Sequence, residues 1–185
     1  AVLLTRTIYR VRAIGLDHLP IEGGALLVAN HVSDLDALHL WACQQRRIRF
    51  LMHRATYERH PLRPLFRLMG CIPIASDDPP RRLAAALREA REALDRGFLV
   101  GVFAEGSLTR SGFLTAFRPG FERIVRGTSH PIIPVYIGGT WGSVFSRYDP
   151  RCHARVPSRF PRTVTVVFGR PMPPTATAAD VRQAV

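Results

Sequence analysis

The feature that most constrains the fold of this chain is the regular alternation of short apolar runs with segments of helical periodicity. Residues 25–30 (ALLVAN) and 98–104 (FLVGVFA) are almost continuously apolar, as expected for strands that are covered on both faces. Residues 7–14 (TIYRVRAI) alternate with period two, which is typical of a half-buried strand. The same criteria predict further strands at residues 47–53, 71–74, 132–139 and 163–169.

Helical patterns lie between these strands. The clearest covers residues 79–96, where Asp77 or Asp78 is placed to cap the first turn and Gly97 to end the helix. Its predicted buried stripe consists of Leu83, Ala86, Leu87, Ala90 and Leu94. Shorter helices are predicted at 35–43, with Leu35, Leu38 and Ala42 on one stripe, at 119–126 and near 177. Strands separated by helices predict an α/β fold with a mixed, largely parallel central sheet flanked by helices.

Length limits the domain organisation. The 185 residues suffice for one domain with a full core. The chain begins with Ala1 rather than Met and ends in a stretch that resembles the start of a helix. We therefore interpret residues 1–185 as a single domain excised from a larger multidomain protein. No run of eighteen apolar residues occurs, so no membrane-spanning helix is expected.

Charge restricts the partners. The chain has 26 basic residues, all arginine, against 14 acidic ones, which gives a net charge of +12. Such a balance favours an anionic partner, whether nucleic acid, membrane surface, phosphorylated substrate or acidic protein. The densest cluster has only Glu58 as a counter-charge and consists of Arg46, Arg47, Arg49, Arg54, Arg59, Arg63 and Arg67. We interpret it as a surface for anionic lipid or an acidic carrier protein, with a solvated surface as the alternative. A second basic stretch covers residues 147–162.

The first group of polar residues follows the strand at 25–30. His31 is predicted to leave the end of this strand, and Ser33 to cap the next helix, with Asp36 in its first turn. Folding the helix start onto the strand end brings His31 and Asp36 within hydrogen-bonding reach. One ring nitrogen would then be held by the carboxylate while the other faces substrate, as in a general base with its orienting group. The alternative is a simple capping box, in which Ser33 and Asp36 only begin the helix.

The second group follows the strand at 98–104. Gly106, Ser107 and Arg110 combine small residues, whose amides are accessible, with a cation, which suits a phosphate or an oxyanion. A polar β-turn is the alternative. No G-x-x-x-x-G-K-[ST], G-x-G-x-x-G or G-x-S-x-G sequence is present, and neither cysteines nor histidines show metal-ligand spacing. The odd number of cysteines, three without a C-x-x-C pair, indicates a reducing compartment.

Taken together, these groups resemble a known family. N-H-x-S-x-x-D at 30–36 is similar to the first motif of the glycerolipid acyltransferases, and F-A-E-G-S-L-T-R at 103–110 is similar to their F-P-E-G-x-x-S/T-R motif. The segments at 70–74, 117–120 and 133–135 resemble further motifs of this family, in the same order. Ala104 and Leu108 depart from the pattern, since the family commonly has Pro and Arg there. The variants at 103–112 and 127–145 look most like the acyltransferase domain of bacterial 2-acylglycerophosphoethanolamine acyltransferase/acyl–carrier-protein synthetase fusion proteins.

This resemblance implies a glycerol-3-phosphate acyltransferase-like fold and direct transfer of a fatty acyl chain from a thioester to a lysophospholipid such as 2-acylglycerophosphoethanolamine. His31 would be the general base and Asp36 its orienting group. The implied substrate-binding residues are Asn30, Ser33, Glu105, Gly106, Ser107, Arg110 and Arg118, with Glu105 ordering its loop. The donor would be acyl-coenzyme A or acyl–acyl carrier protein, with no bound cofactor and no metal. Cys71 as an acyl-carrying nucleophile is an alternative to direct transfer, although a buried structural cysteine is the commoner case.

The resemblance also implies peripheral contact with an anionic membrane, at the cytoplasmic face of the bacterial inner membrane. Acyl carrier protein is a further expected partner. Alternative functions are acylation of lysophosphatidic acid or glycerol 3-phosphate, and a catalytically silent lipid-binding module. Nucleic-acid binding has no motif to support it.

Overall fold

The computed structural model describes residues 9–59, 63–143, 146 and 161–185. Seven strands form one sheet in the order β1-β7-β6-β2-β5-β3-β4. The strands are β1 (Tyr9–Ile14), β2 (Ala25–Ala29), β3 (Ile48–His53), β4 (Ile72–Ile74), β5 (Leu99–Phe103), β6 (Ile132–Gly138) and β7 (Arg162–Phe168). Every neighbouring pair is parallel except β6 and β7, which are antiparallel. The predicted mixed, largely parallel α/β sheet is therefore confirmed.

Helices cover both faces of this sheet. They are α1 (Asp36–Ala42), α2 (Arg54–Glu58), α3 (Arg63–Leu68), α4 (Pro80–Asp95), α5 (Glu122–Val125) and α6 (Ala178–Ala184), with 3-10 turns at Leu16–His18 and Pro119–Phe121. Ala90 of α4, Ile124 of α5 and Val181 of α6 belong to the core on one face. Leu40 of α1 and Met69, after α3, belong to the core on the other face. Within the described ranges, no helix has the length and apolarity needed to cross a membrane.

Strand β2 occupies the centre of the sheet, between β5 and β6, and all five of its residues are buried. Its continuous apolar run, read in the sequence as a strand covered on both faces, is explained by this position. Because β2, β3, β5 and β6 are parallel, their carboxyl ends meet at one edge of the sheet. The loops that follow β2 and β5 therefore lie side by side, as expected for an active site of an α/β sheet.

The long helix α4 begins differently from the prediction. Neither Asp77 nor Asp78 caps it, because Pro79 occupies the N-cap position without a side-chain hydrogen bond. The Asp78 carboxylate instead accepts hydrogen bonds from Arg54, at 2.8 Å from Nε and 2.8 Å from Nη2, and from the backbone N–H of Ala75. Gly97 does follow the helix end with φ 81°, as predicted. Ala93 joins the predicted stripe, whereas Leu83 is only partly buried.

Two further expectations about helices need correction. The buried face of α1 carries Asp36, His39 and Leu40 rather than the predicted stripe of Leu35, Leu38 and Ala42, which are all half-buried. The hydrophobic pattern does not predict the buried face here, because the polar side chains of Asp36 and His39 lie on it. The helix predicted at 119–126 is a 3-10 turn followed by the single turn of α5.

The arginine cluster is not a uniform cationic surface. The Arg46 guanidinium donates to the carbonyls of Pro20, at 2.6 Å, of Gly97, at 2.6 Å, and of Gly23. Arg49 and Arg54 are paired with carboxylates distant in sequence, Glu89 and Asp78. These three arginines therefore hold the fold together, contrary to the reading of the whole cluster as free for lipid. Arg47, Arg59, Arg63 and Arg67 are exposed.

The apolar residues that interleave with the end of the cluster have different environments. Met69 is buried and Phe66 is half-buried, which fits core packing, whereas Leu68 is 85% exposed. Leu62, most of the basic stretch at 147–162 and the first two residues of the strand predicted at 7–14 lie outside the described residues.

Candidate active site

His31 and Asp36 lie where β2 ends and α1 begins. The ring Nδ1 of His31 is 3.1 Å from Oδ2 of Asp36. The Asp36 side chain is fully buried, whereas that of His31 is 21% exposed. The structure thus brings together the two residues that the sequence analysis assigned to a general base and its orienting group.

The Asp36 carboxylate is held from several directions. Its Oδ2 accepts the backbone N–H groups of Val32, at 2.6 Å, and Ser33, at 2.8 Å. Its Oδ1 lies 3.4 Å from the hydroxyl of Thr140, which follows β6. An oxygen that accepts two backbone donors has no proton to give, so the ring Nδ1 of His31 donates to it. The two readings of the motif are therefore compatible, because the carboxylate that binds the backbone at the helix start also orients the imidazole.

An aromatic side chain supports the His31 ring. Phe103, the last residue of β5, stacks on the imidazole with ring centroids 4.0 Å apart and an interplanar angle of 13°. Phe103 in turn stacks on Phe50 of β3 at 5.9 Å. Among the described residues, Nε2 of His31 has no hydrogen-bond partner. The ring is thus held by Asp36 on one edge and by Phe103 on one face, whereas Nε2 is not engaged by any described residue.

Glu105 joins the loop after β5 to the loop after β2. Its Oε1 accepts the backbone N–H of His31 at 2.8 Å, and its Oε2 accepts the backbone N–H and hydroxyl of Thr115, at 2.9 Å and 2.5 Å. The backbone N–H of Thr109 also donates to the carbonyl of His31 at 2.9 Å. These hydrogen bonds join the two loops, and Glu105, at 5% exposed, offers little surface to a ligand.

Next to this loop lies a group of accessible donors. Arg110 and Arg118 are exposed, and neither guanidinium has a carboxylate or carbonyl partner within the described residues. Gly106 has φ 71°, and a Cβ at this position would lie only 2.8 Å from Nε of Arg118. The backbone N–H of Gly106 donates to the carbonyl of Phe103, at 3.1 Å, and is not open to a ligand. Of the two amides expected to bind phosphate, that of Ser107 is thus the one left accessible.

Two residues assigned to substrate binding have contacts within the protein. Asn30, 4% exposed, exchanges hydrogen bonds with the backbone of Ile137 in β6, at 2.9 Å and 2.7 Å. Ser33 is buried, and its hydroxyl accepts the backbone N–H of Leu35 at 3.2 Å instead of capping α1. Both residues lie beneath the surface at which His31 is exposed and stabilise its loop.

Sequence reasoning did not find three residues of the site. Phe103 is the first residue of the F-A-E-G-S-L-T-R motif, but the sequence analysis assigned it no role in the site. Thr140 and Thr115 carried no motif, and Thr140 is 104 positions away from Asp36. Their roles depend on the order of the strands, which periodicity does not reveal.

Other titratable groups near the site have structural environments. The His39 ring is buried, has no hydrogen-bond partner among the described residues and packs edge-on against Tyr9 at 4.8 Å. Burial lowers the pKa of His39, and the charge of Asp36 acts in the opposite direction. Cys71 is 4% exposed, and burial raises the pKa of its thiol to about 11, which disfavours the thiolate that an acyl-carrying nucleophile needs. In the part of the chain that is described, no group of three or more His, Cys, Asp or Glu residues could hold a metal ion.

Comparisons with known proteins place this geometry in context. A family model described as acyltransferase matches residues 10–138. A chloroplastic 1-acyl-sn-glycerol-3-phosphate acyltransferase of Arabidopsis thaliana is 27% identical over 133 residues, which cover 71% of this chain and 37% of that protein. A probable 1-acyl-sn-glycerol-3-phosphate acyltransferase of Mycoplasma genitalium is 31% identical over 126 residues, which cover 65% of this chain and 46% of that protein. The chain thus spans less than half the length of these relatives.

One solved structure has the same fold. The crystal structure of the 1-acyl-sn-glycerophosphate acyltransferase PlsC from Thermotoga maritima superposes with a TM-score of 0.70 at 22% identity, covering 97% of this chain and 68% of that one. At this identity the similarity supports the fold alone.

Proposed function

Because the chain belongs to the acyltransferase family, we propose that it transfers a fatty acyl group from an acyl thioester to the free hydroxyl of a lysophospholipid. The observation that carries this proposal is the placement of His31. Its Nδ1 is bonded to the buried Asp36, its Nε2 is left for substrate, and the unpaired Arg110 and Arg118 lie on the neighbouring loop. A general base beside a group of phosphate-binding donors fits an acceptor that carries both a hydroxyl and a phosphate.

The proposed step is direct transfer. Nε2 of His31 takes the proton of the acceptor hydroxyl while its oxygen attacks the thioester carbonyl carbon. The carbon–sulfur bond of the resulting tetrahedral intermediate then breaks, and the thiolate leaves with the proton returned by the imidazolium. General-base assistance of this kind typically contributes about 10²–10⁴-fold to the rate.

Asp36 makes this step possible by keeping the proton on Nδ1, so that Nε2 has a free lone pair. Its carboxylate also stabilises the imidazolium that forms as the hydroxyl is deprotonated. Phe103 prevents the ring from tilting away from the acceptor. In this scheme Glu105, Asn30 and Ser33 support the loops, and the phosphate of the acceptor binds to Arg110, Arg118 and the amide of Ser107.

We propose two candidate acceptors. The sequence variants that resemble the fusion-protein branch favour 2-acylglycerophosphoethanolamine. The second candidate is lysophosphatidic acid, because the curated relatives described above are named as 1-acyl-sn-glycerol-3-phosphate acyltransferases. The donor is acyl-coenzyme A or acyl–acyl carrier protein, and the place of action is the cytoplasmic face of the bacterial inner membrane.

A panel of acceptors assayed with both donors tests the proposal. We expect acyl transfer to at least one of 2-acylglycerophosphoethanolamine, lysophosphatidic acid and glycerol 3-phosphate, and its loss in His31→Ala. Transfer that persists in a folded His31→Ala variant would overturn the mechanism. Lipid binding without turnover, for every acceptor and both donors, would identify a silent lipid-binding module instead.

A further inference from the structure

A cavity of about 690 Å³ lies at the opposite edge of the sheet from His31. Arg47 directly precedes β3 and Phe98 directly precedes β5, so the cavity is at the amino ends of these strands. The residues of its lining that matter here are Trp41, Arg47, Arg49, Leu68, Arg96 and Phe98. Strand β3 has six residues, so about 16–20 Å of sheet separates this cavity from the edge that carries His31.

The charges of this cavity do not cancel. Glu89, the acidic residue of the lining, is paired with Arg49 at 2.5 Å, and Arg49 also donates to the carbonyl of Gly70 at 2.8 Å. Arg47 has no hydrogen-bond partner for its side chain within the described ranges. Arg96 uses only its Nε, which donates to the backbone carbonyl of Glu92 at 3.2 Å. Two guanidinium groups therefore border the cavity without a carboxylate.

The walls between these cations are apolar and aromatic. The guanidinium of Arg96 lies over the ring of Phe98, 5.8 Å from its centroid. Trp41 and Phe98 are half-buried, and the Leu68 side chain at the end of α3 is 85% exposed. An exposed leucine at the mouth of a cationic cavity indicates a ligand that has an apolar part as well as a negative charge.

We propose that this cavity is a second anion site, distinct from the acceptor site, which binds the phosphate group of an amphipathic phosphate ester. Arg47 and Arg96 bind the phosphate oxygens, because planar guanidinium groups match phosphate geometry. Leu68, Trp41 and Phe98 contact the apolar part. The phosphate group has two possible sources, an anionic phospholipid in a membrane or a soluble phosphate ester. The inference does not depend on the acyl-transfer mechanism, because the cavity lies at the amino ends of β3 and β5 and His31 follows the carboxyl end of β2.

The test compares two double variants that remove the same charge. The double variant Arg47→Gln/Arg96→Gln removes the two guanidinium charges that have no carboxylate partner in the cavity. Arg10→Gln/Arg12→Gln is the matched control, because both of these arginines are exposed on β1, at the other end of the sheet from β4. Each protein is sedimented with vesicles of phosphatidylcholine alone and with 30 mol% phosphatidylglycerol. Quenching of tryptophan fluorescence by inorganic phosphate, glycerol 3-phosphate and monomeric dihexanoyl phosphatidylglycerol is measured in parallel, with Trp41 as the reporter in a Trp141→Phe background.

We expect the cavity variant to lose affinity for phosphatidylglycerol vesicles by about 25-fold, since each of the two arginines near an anionic surface contributes about fivefold. The control should lose much less. Quenching by dihexanoyl phosphatidylglycerol alone would identify a lipid source, and quenching by glycerol 3-phosphate as well would identify soluble phosphate esters. Equal losses in the two double variants, or no quenching by any ester, would overturn the proposal. Acyl transfer to soluble substrates is a fold control and should be unchanged in both variants.

Discussion

At the scale of single residues, Asp36 accepts more hydrogen bonds than any other side chain of the described site, because Oδ2 receives the His31 ring and two backbone N–H groups and Oδ1 receives the hydroxyl of Thr140. In Asp36→Asn, an amide NH₂ in that position would oppose these donors, and an amide oxygen there would not stabilise the imidazolium. We expect acyl transfer to fall by about 10²-fold or more, and by about 10²–10⁴-fold in His31→Ala. Single-turnover kinetics measure this, with circular dichroism as the control for folding. Near-normal turnover in both variants would contradict the assignment.

Gly106 offers a second test at the same scale. In Gly106→Ala the methyl group would meet Arg118 at 2.8 Å and the residue would have to keep φ 71°. Displacing Arg118 removes a charge-assisted contact, so KM for the phosphorylated acceptor should rise about 10-fold or more, with KM for the donor unchanged. Gly120→Ala is the matched control, because its Cβ would meet nothing within 4 Å. An unchanged acceptor KM in Gly106→Ala would place the phosphate elsewhere.

The sequence could predict residues of the site whose contacts are local. His31 and Asp36 are five positions apart, so the turn between strand and helix suffices to join them. Glu105 was recognised through its motif, but its bond to the backbone of His31 spans 74 positions. The contacts of Phe103 with His31 and of Thr140 with Asp36 could not be predicted, because they depend on which strands are neighbours. Asn30 was assigned to substrate binding because it belongs to a recognisable motif. Its hydrogen bonds with the backbone of Ile137 could not be predicted from the sequence.

At the scale of elements, Arg46, which lies before β3, joins the segments that precede β2 and β5. It donates to the carbonyls of Pro20 and Gly23, before β2, and of Gly97, before β5. We expect Arg46→Ala to lower the free energy of unfolding by about 2–4 kcal/mol, because charge-assisted hydrogen bonds are lost from three carbonyls. Arg47→Ala, the exposed neighbour, should change it little. Urea denaturation of both variants measures the difference, and equal stability would show that Arg46 is dispensable.

The pair of Arg54 and Asp78 joins the start of α2 to the segment before α4. The hydrogen bonds from Arg54 hold the pKa of Asp78 below its ordinary value, with help from the N–H of Ala75. A carboxyl whose pKa is lower in the folded state stabilises the protein above its unfolded pKa, about 3.9. That contribution is lost as the pH falls through the folded pKa. We therefore expect Asp78→Asn to be less stable than the parent at pH 6 and to approach the stability of the parent as the pH falls through the lowered pKa of the folded state. A difference that is independent of pH would exclude the ion pair as its cause.

Element existence was easier to predict than element ends. A strand is present at every predicted position. The apolar runs of β2 and β5 were the clearest signals, because such runs need burial on both faces of a sheet. The predicted cap of α4 was wrong, because the Asp78 carboxylate binds Arg54, 24 positions earlier, instead of the first turn of its own helix. The predicted buried face of α1 was wrong. Asp36 and His39 lie on the inward side of the helix, where hydrophobic periodicity predicts apolar residues.

At the scale of the whole molecule, the sheet has a protected centre and exposed edges. The amides of β2 are paired on both sides and fully buried, whereas β1 and β4 are the two edge strands. Native-state hydrogen exchange should therefore be slowest in β2, at the rate of global unfolding, and faster in β4, whose exchangeable amides are those of Ile72 and Ile74 because Pro73 has none. Exchange in β2 as fast as in β4 would contradict this order. Such stability at the centre would keep the loop of His31 in place while outer parts open.

The position of β1 has a consequence for how the molecule is assembled. Its first residue, Tyr9, pairs with Arg162, and the bond between Asn30 and Ile137 spans 107 positions. During synthesis from the amino end, β1 emerges first and has no partner strand until β7 has left the ribosome. The His31–Asp36 turn can form early, but its support from β6 arrives late, and contacts this remote in sequence slow folding. A nascent chain therefore carries His31 through most of the synthesis of these strands before the surrounding loops can hold it in place.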